Sequence, residues 1–371
     1  MRNSQNKKVI ITLSPQKSLR DFTGQAGGCR GKKVIIAMSG GIDSSVAAAL
    51  LKKAGYSVTG VFMRLYNSPR FKESEKRAKK VAKVLNIPFL ILDLRKEFQK
   101  KIINYFLKEY ATGLTPNPCV VCNKEIKFKS LMKKASVQKA DYVATGHYVK
   151  IIKSNSTFKL LRAKDKEKDQ SYFLWQLSQE QLKKIVFPLG DLTKSQVKNL
   201  AKKSKLPVSG ISESQEICFI QTHVNTFLKH HLKEKPSRII DTKGKTIGQH
   251  QGLAFYTIGQ RKGIGLPGGP YFVLGKDLKR NFLIATKNGK DLFKKELIAG
   301  KVDWASGREP KLPLEVKAKI RYRQKTAPAT IFKIQDSKFK ILFNSPQRAI
   351  TPGQSVVFYQ GNELLGGGII E

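Results

Sequence analysis

The chain has 371 residues, long enough for two or three domains with substantial cores. A hydrophobic fraction of 40% with no run of 18 apolar residues excludes a membrane-spanning helix, and four cysteines (Cys29, Cys119, Cys122 and Cys218) are too few for a disulfide scaffold. Seventy basic against 27 acidic residues leave a net charge of +43, which calls for a polyanionic partner, nucleic acid first, or a proteome in which lysine is abundant everywhere.

Residues 1–30 carry six basic side chains and one acid, Asp21, in the manner of an organellar presequence or of a misassigned start; KKVIITLS at 7–14 echoes KKVIIAMS at 32–39. From residue 33 to about 145, short apolar runs alternate with amphipathic stretches. VIIAM (34–38), VTGVFM (58–63), FLILDL (89–94) and DYVAT (141–145) predict strands. SSVAAALLKKAG (44–55), ESEKRAKKVAKVL (73–85) and EFQKKIINYFLKEY (97–110) predict helices. Such alternation implies α/β structure with a parallel sheet, whose ligands bind beyond the carboxyl ends of the strands.

KIIK and TFKLLRA then predict a hairpin, SQEQLKKI and TKSQVKNLAKKS helices, and 245–270 is glycine-rich with a basic core. From 271 onward the runs YFVLG, NFLIAT, ATIFKI, FKILF and SVVFY, separated by turn residues, predict an all-β ending in a small barrel. The expected division is a basic extension at 1–30, a catalytic unit at 31–222, a central unit at 223–285 and a barrel at 286–371.

AMSGGIDSS (37–45) follows the first strand and opens the first helix. Its small residues let backbone amides approach a phosphate, and the helix dipole favours the anion. No Gly-Lys-Ser/Thr is present, so it is not the loop of a P-loop triphosphatase; Asp43 is a candidate to help hold magnesium in place of the missing lysine. The full string resembles the pyrophosphate loop of the ATP pyrophosphatases, which cleave ATP between the α- and β-phosphates and adenylate a substrate oxygen.

In TPNPCVVCNKEIKF (115–128) two prolines predict an extended loop, with Asn123 capping the helix that follows. Cys119 and Cys122 have the C-x2-C spacing of a zinc or iron–sulfur pair or of a redox dithiol. Cys218, in SESQEICFI, lies 96 positions after Cys122. In GQRKG, Arg261 and Lys262 are candidates to clamp a phosphate.

Taken in order, SGGIDSS, TPNPCVVCNKEIKF, ATGHYVK, DQSYFLW, SESQEICFI and FYTIGQRKGIGL resemble the tRNA-specific 2-thiouridylase family over residues 33–371. The resemblance implies a PP-loop domain of the adenine-nucleotide alpha hydrolase-like class, a small central domain and a C-terminal β-barrel. It also implies ATP- and Mg2+-dependent adenylation, then sulfuration, of C2 of the wobble uridine, in a cytoplasmic monomer bound to one tRNA (the glutamate, glutamine and lysine acceptors). By the same resemblance Cys218 carries a persulfide delivered by a sulfur-relay protein or a cysteine desulfurase. Cys122 is then the nucleophile that releases the sulfur, leaving a Cys122–Cys218 disulfide.

Ala37, Met38, Ser39, Gly40, Gly41, Ile42, Asp43, Ser44, Met63 and Gly146 match the family's ATP-contacting positions. Asn117, Pro118 and Cys119 match the stretch against the target base, and His147, Lys168, Asp169, Gln170, Arg321, Tyr322 and Gln354 match tRNA-contacting positions.

The chain departs from the pattern at Cys119, where many members have an aspartate proposed as a general base. Either Cys119 is a neutral variant, or Cys119, Cys122 and Cys218 hold a [4Fe–4S] cluster that carries the sulfide. The stretch 64–77 is also shorter than its family counterpart. Adenylating relatives that use an amine nucleophile, and a non-catalytic RNA-binding protein, are the rival readings; the paired thiols disfavour both.

Overall fold

The computed structural model describes residues 30–208, 217–220, 222–335 and 337–371, so the basic extension up to and including Cys29 lies outside the described residues. β1 (Lys33–Ala37), β2 (Ser57–Arg64), β3 (Phe89–Asp93) and β4 (Tyr142–Ala144) follow the apolar runs. β5 (Val149–Ser154) and β6 (Thr157–Arg162) make the expected hairpin, and β7 (Ile185–Val186) is a two-residue strand within KKIVFPL. β1, β2, β3, β4 and β7 form one parallel sheet in the order β3-β2-β1-β4-β7. Val34, Ile35 and Ile36 of the central strand are all buried, as expected of a parallel strand covered on both faces.

The helices of this unit are α1 (Ile42–Lys53), α2 (Pro69–Val84), α3 (Arg95–Phe98, Gln99–Ile103 and Asn104–Ala111, unbroken), α4 (Pro118–Cys122, Asn123–Phe128 and Lys129–Val137, also unbroken) and α5 (Lys194–Lys203). The middle stretches of α3 and α4 are π turns, a widening common beside functional sites. Two starts differ from expectation. α2 begins before Glu73, with Ser68 accepting from the Phe71 amide (3.3 Å) and Pro69 in the first turn. α4 begins at Pro118, so Asn123 sits inside the helix instead of capping it, and both cysteines of the C-x2-C pair are helical.

α6 (Val224–His231) leads into β8 (Ser237–Ile240), β9 (Thr246–His250), β10 (Phe272–Asp277) and β11 (Phe282–Thr286), a four-stranded sheet ordered β10-β11-β8-β9. YFVLG and NFLIAT therefore belong to this middle unit, in keeping with a central unit at 223–285, although their pattern reads as the start of the all-β ending. The deciding contact is the parallel pairing of Leu283 with Ile239, which strand periodicity alone does not reveal.

The barrel consists of β12 (Phe293–Trp304), β13 (Leu314–Lys319), β14 (Ala327–Gln335), β15 (Lys338–Arg348), β16 (Ser355–Gln360) and β17 (Glu363–Ile370). The order β12-β15-β14-β13-β16-β17 closes on itself through β12–β17, so six strands share one ring around Val316, Ile331, Ile341, Phe343 and Phe358. β17 also pairs with β6 (Leu364 with Leu160), which zips the hairpin of the first unit onto the barrel. No helix among the described residues is long and apolar enough to cross a membrane.

Trp175 seals this junction against bare backbone: a Cβ at Gly367 would lie 2.8 Å from its indole Cγ and 2.8 Å from the Val356 carbonyl oxygen. Gly367→Ala is expected to cost about 1–3 kcal/mol of stability by overpacking. Gly289→Ala, whose nearest neighbour would stand at 3.6 Å, serves as the control. Thermal unfolding of the two variants checks this, and equal midpoints would contradict the packing.

Candidate active site

The strand order reverses beside β1, with β2 on one side and β4 on the other, which makes the crevice at their carboxyl ends the expected ligand site. The 39–45 loop leaves β1 there. Gly40 has φ +75°, and a Cβ on it would stand 2.1 Å from the Ser74 carbonyl oxygen, so α2 rests directly on the loop. Arg77 of α2 donates to the Gly40 carbonyl (3.2 Å). The Ser39 amide donates to Ser44 Oγ (3.1 Å), and the Ser44 and Ser45 hydroxyls donate to the Gly41 carbonyl (3.2 and 2.8 Å).

No side chain caps α1, so its first amides face the crevice, where an anion would satisfy them. Gly146, leaving β4, packs on the same turn: a Cβ there would fall 2.7 Å from the Ser44 nitrogen. Met38 and Met63 are buried at the ends of β1 and β2, with Ala37 and Ile42 beside them.

Asp43 is engaged within the protein. Its Oδ1 accepts from the Tyr148 hydroxyl (2.7 Å) and from Lys194 Nζ (2.7 Å), and its Oδ2 accepts from Lys194 (2.8 Å). A direct magnesium ligand is therefore not what this carboxylate offers as it stands. The pair instead brings a cation to the loop from 151 residues downstream. Lys194 carries no motif in the sequence; its only local signal is the Thr193/Gln196 capping box that starts α5.

The thiol site is built on the segment before α4. Gln354 donates to the Thr115 and Pro116 carbonyls (2.9 and 3.1 Å), and the Thr115 amide donates to the Pro352 carbonyl (3.0 Å). Asn117 is buried and hydrogen-bonds with the Tyr172 hydroxyl, which donates to the Ser355 carbonyl (2.8 Å). Pro118 then opens α4, with Cys119 half-buried and Cys122 buried. Asn123 donates to the Phe173 carbonyl (3.1 Å), while its buried Oδ1 has no partner.

Cys218 is exposed, and its neighbour Phe219 is wedged against Phe98, Phe106 and Phe227 (ring centroids 5.7, 5.4 and 5.5 Å apart). The start of α4 packs on the π turn between Phe98 and Phe106, so both thiol-bearing segments rest on the same stretch of α3. The three thiols influence one another electrostatically. Removal from bulk water pushes Cys122 up to about 12 and raises Cys119; the Lys127 ammonium partly offsets this at both. No three His, Cys, Asp or Glu side chains among the described residues are drawn together closely enough to hold a metal ion. The [4Fe–4S] reading of Cys119, Cys122 and Cys218 has no such grouping to rest on among the described residues.

Among the positions matched to tRNA contacts, His147 lies between Phe128 and Phe187 (6.0 and 6.1 Å) with Nδ1 2.6 Å from the Thr145 hydroxyl. Burial lowers it to about 3, which keeps it neutral. Asp169 is 2% exposed and faces inward, accepting from Arg162, the Ala163 amide and the Ser171 hydroxyl (3.1, 3.1 and 3.0 Å). Gln170 accepts from the Tyr148 amide (3.0 Å), and Lys168 is half-exposed beside it.

Arg321 donates to the Ala349 carbonyl (2.7 Å) and the Thr351 hydroxyl (2.9 Å), and Tyr322 packs on Phe173 (4.5 Å). Arg321 and Gln354, with Thr115 and Thr257, line a cavity of about 390 Å³ where all three units meet. Arg261 and Lys262 are exposed in the turn next to Gln260, another of its lining residues.

Three family models match in succession: a tRNA methyl transferase HUP domain over residues 32–222, a tRNA methyl transferase PRC-barrel domain over 225–287 and an aminomethyltransferase beta-barrel domain over 294–370. The tRNA-specific 2-thiouridylase MnmA of Clostridioides difficile (strain 630) is 46% identical over 355 residues, covering 92% of this chain and 98% of its own. Its counterpart from Carboxydothermus hydrogenoformans is 44% identical over 358 residues with the same coverages. The chain belongs to the tRNA-specific 2-thiouridylase family. Membership accounts for the three-part architecture of PP-loop domain, PRC-barrel domain and C-terminal barrel. A solved structure, the U34-tRNA thiolase NcsA of Methanococcus maripaludis with its [4Fe-4S] cluster, aligns at 20% identity and TM-score 0.39 over 55% of this chain and 66% of its own, too distantly to bear on the site.

In this 2-thiouridylase the raised thiols predict a pH profile. Alkylation of Cys122 by iodoacetamide, read by peptide mass spectrometry, is expected to quicken about tenfold per pH unit from 7 to 10 without levelling. The exposed Cys218 is expected to react faster throughout. A plateau near pH 8 would contradict the assigned environment.

Proposed function

We propose that this chain is a tRNA 2-thiouridylase that uses ATP to adenylate O2 of the wobble uridine and then replaces that oxygen with sulfur. The observation that carries the reading is that Gly146 and His147 bridge the nucleotide loop to the thiol helix. Phe128 of α4 lies against His147, and the adjacent Gly146 lies on Ser44 of the loop. One crevice thus holds an anion-binding helix start and a thiol pair.

ATP enters with its magnesium ion as substrate. The amides of residues 40–44, the dipole of α1 and Lys194 take up the charge of the departing pyrophosphate. The uridine O2 attacks the α-phosphorus, and Asn117 and Pro118 lie against the base. Cys218, being exposed, receives sulfur as a persulfide from a relay protein or a cysteine desulfurase. The buried Cys122 attacks the Cys218 sulfur and displaces sulfide onto C2; AMP leaves and a Cys122–Cys218 disulfide remains. Direct attack on C2 by the terminal persulfide sulfur uses the same two residues.

The charge of +43 favours tRNA, with the glutamate, glutamine and lysine acceptors as substrates, and one cytoplasmic monomer engages one tRNA. The working division is a catalytic unit at 31–222, a central unit at 223–285 and a barrel at 286–371.

Nucleoside mass spectrometry on unmodified transcripts, incubated anaerobically with protein, ATP, magnesium and a persulfide source, tests this reading. Formation of 2-thiouridine is expected to require ATP and to vanish in Cys122→Ala and Cys218→Ala. Lys194→Ala is expected to lower kcat/KM for ATP by roughly 10²-fold, as for loss of one electrostatic contact to a transition state. Thiolation without ATP, or undiminished in Cys122→Ala, would overturn it.

A further inference from the structure

Sulfur transfer uses two thiols, yet α4 carries a third beside Cys122, and the three are graded in exposure: Cys218 exposed, Cys119 half-buried, Cys122 buried. Cys119 and Cys122 stand three residues apart at the start of α4, so their side chains leave one face of one turn. Cβ atoms so spaced lie about 5–6 Å apart, against the 3.5–4.5 Å or so of a disulfide. The first turn of a helix can close that gap, because its amides have no intrahelical bonds to lose and Pro118 has no N–H at all. Where many family members carry an aspartate, a thiol is a poor base but a strong nucleophile.

Resting on the persulfide route above, we propose that Cys119 is a resolving nucleophile. Its thiolate attacks the Cys122 sulfur of the Cys122–Cys218 disulfide, forming a Cys119–Cys122 disulfide and expelling Cys218 as a thiolate. One S–S bond forms as another breaks, and the proton given up by Cys119 is regained by Cys218. No electrons leave the protein in this step; an external dithiol later reduces the Cys119–Cys122 bond. The exchange returns Cys218, the thiol that faces an incoming sulfur donor, to its free form.

Peptide mapping reads the two disulfides separately. Trypsin places Cys119 and Cys122 together in peptide 109–124 and Cys218 in peptide 206–229. The full chain carrying Cys29→Ser is reduced, treated with one equivalent of diamide, equilibrated, alkylated and digested. An internal disulfide in 109–124, with alkylated Cys218, is expected in about tenfold excess over the 109–124/206–229 cross-link, equivalent to about 30 mV between the two pairs. In Cys119→Ser the cross-link is expected to take over.

A dominant cross-link in the chain that retains Cys119 would overturn the proposal, as would Cys119 alkylated throughout. So would protection of all three thiols by bound iron. The map needs neither tRNA nor ATP, so its failure is distinguishable from failure of the thiolation reaction.

Discussion

The site depends on how the backbone of Thr115 and Pro116 is satisfied. Prolines at 116 and 118 have no N–H to tie this segment into a sheet, and its remaining polar groups are enclosed where three units meet. The barrel turn at 352–354 answers them: the Pro352 carbonyl takes the Thr115 amide, and the Gln354 amide bonds both carbonyls. Gly353, at φ +90°, comes so close that a Cβ would stand 2.9 Å from the Thr115 backbone. The last domain of the chain therefore sets where α4 begins, and with it where Cys119 and Cys122 point. The Tyr172–Ser355 bond, the β6–β17 pairing and Trp175 on Gly367 fasten the same two bodies at other points.

Within that frame the crevice has two electrostatic characters. The loop side is prepared for anions by free amides, a helix dipole and the Lys194 ammonium. The thiol side is prepared to be neutral, since burial keeps Cys122 protonated at ordinary pH and raises Cys119. Neutral thiols add no repulsion toward an incoming triphosphate, and the neutral His147 between the two sides adds no competing cation. The cost is reactivity, because a thiol must lose its proton before it attacks. A route that passes the disulfide from one thiol to the next suits such a site, since each exchange regenerates a protonated partner.

Local features of this architecture were legible in the sequence. VIIAM, VTGVFM, FLILDL and DYVAT read as strands because buried parallel strands are continuous apolar runs, and SGGIDSS stood out because its small residues have no other reason to cluster there. The illegible parts are those decided at long range. β7 is two residues long and exists only because β4 offers it an edge. YFVLG and NFLIAT look like barrel strands until β8 claims β11. Pro118 reads as a loop residue on its own and as a first-turn residue only once the barrel fixes the segment before it. Lys194 is one lysine among many until α5 packs on α1 and delivers it to Asp43. Asp169, matched to RNA contacts by resemblance, has its oxygens turned toward Arg162 and Ser171.

The central claim is that one crevice first adenylates the base and then sulfurates it. The most direct measurement follows the oxygen. A tRNA carrying oxygen-18 at O2 of the wobble uridine would be turned over once with ATP and a persulfide donor, and the AMP weighed by mass spectrometry. The account predicts one labelled oxygen in AMP for each 2-thiouridine formed, because the displaced O2 leaves on the α-phosphate. AMP carrying only unlabelled oxygen, alongside thiolated tRNA, would mean that ATP was hydrolysed apart from the base, and would contradict it.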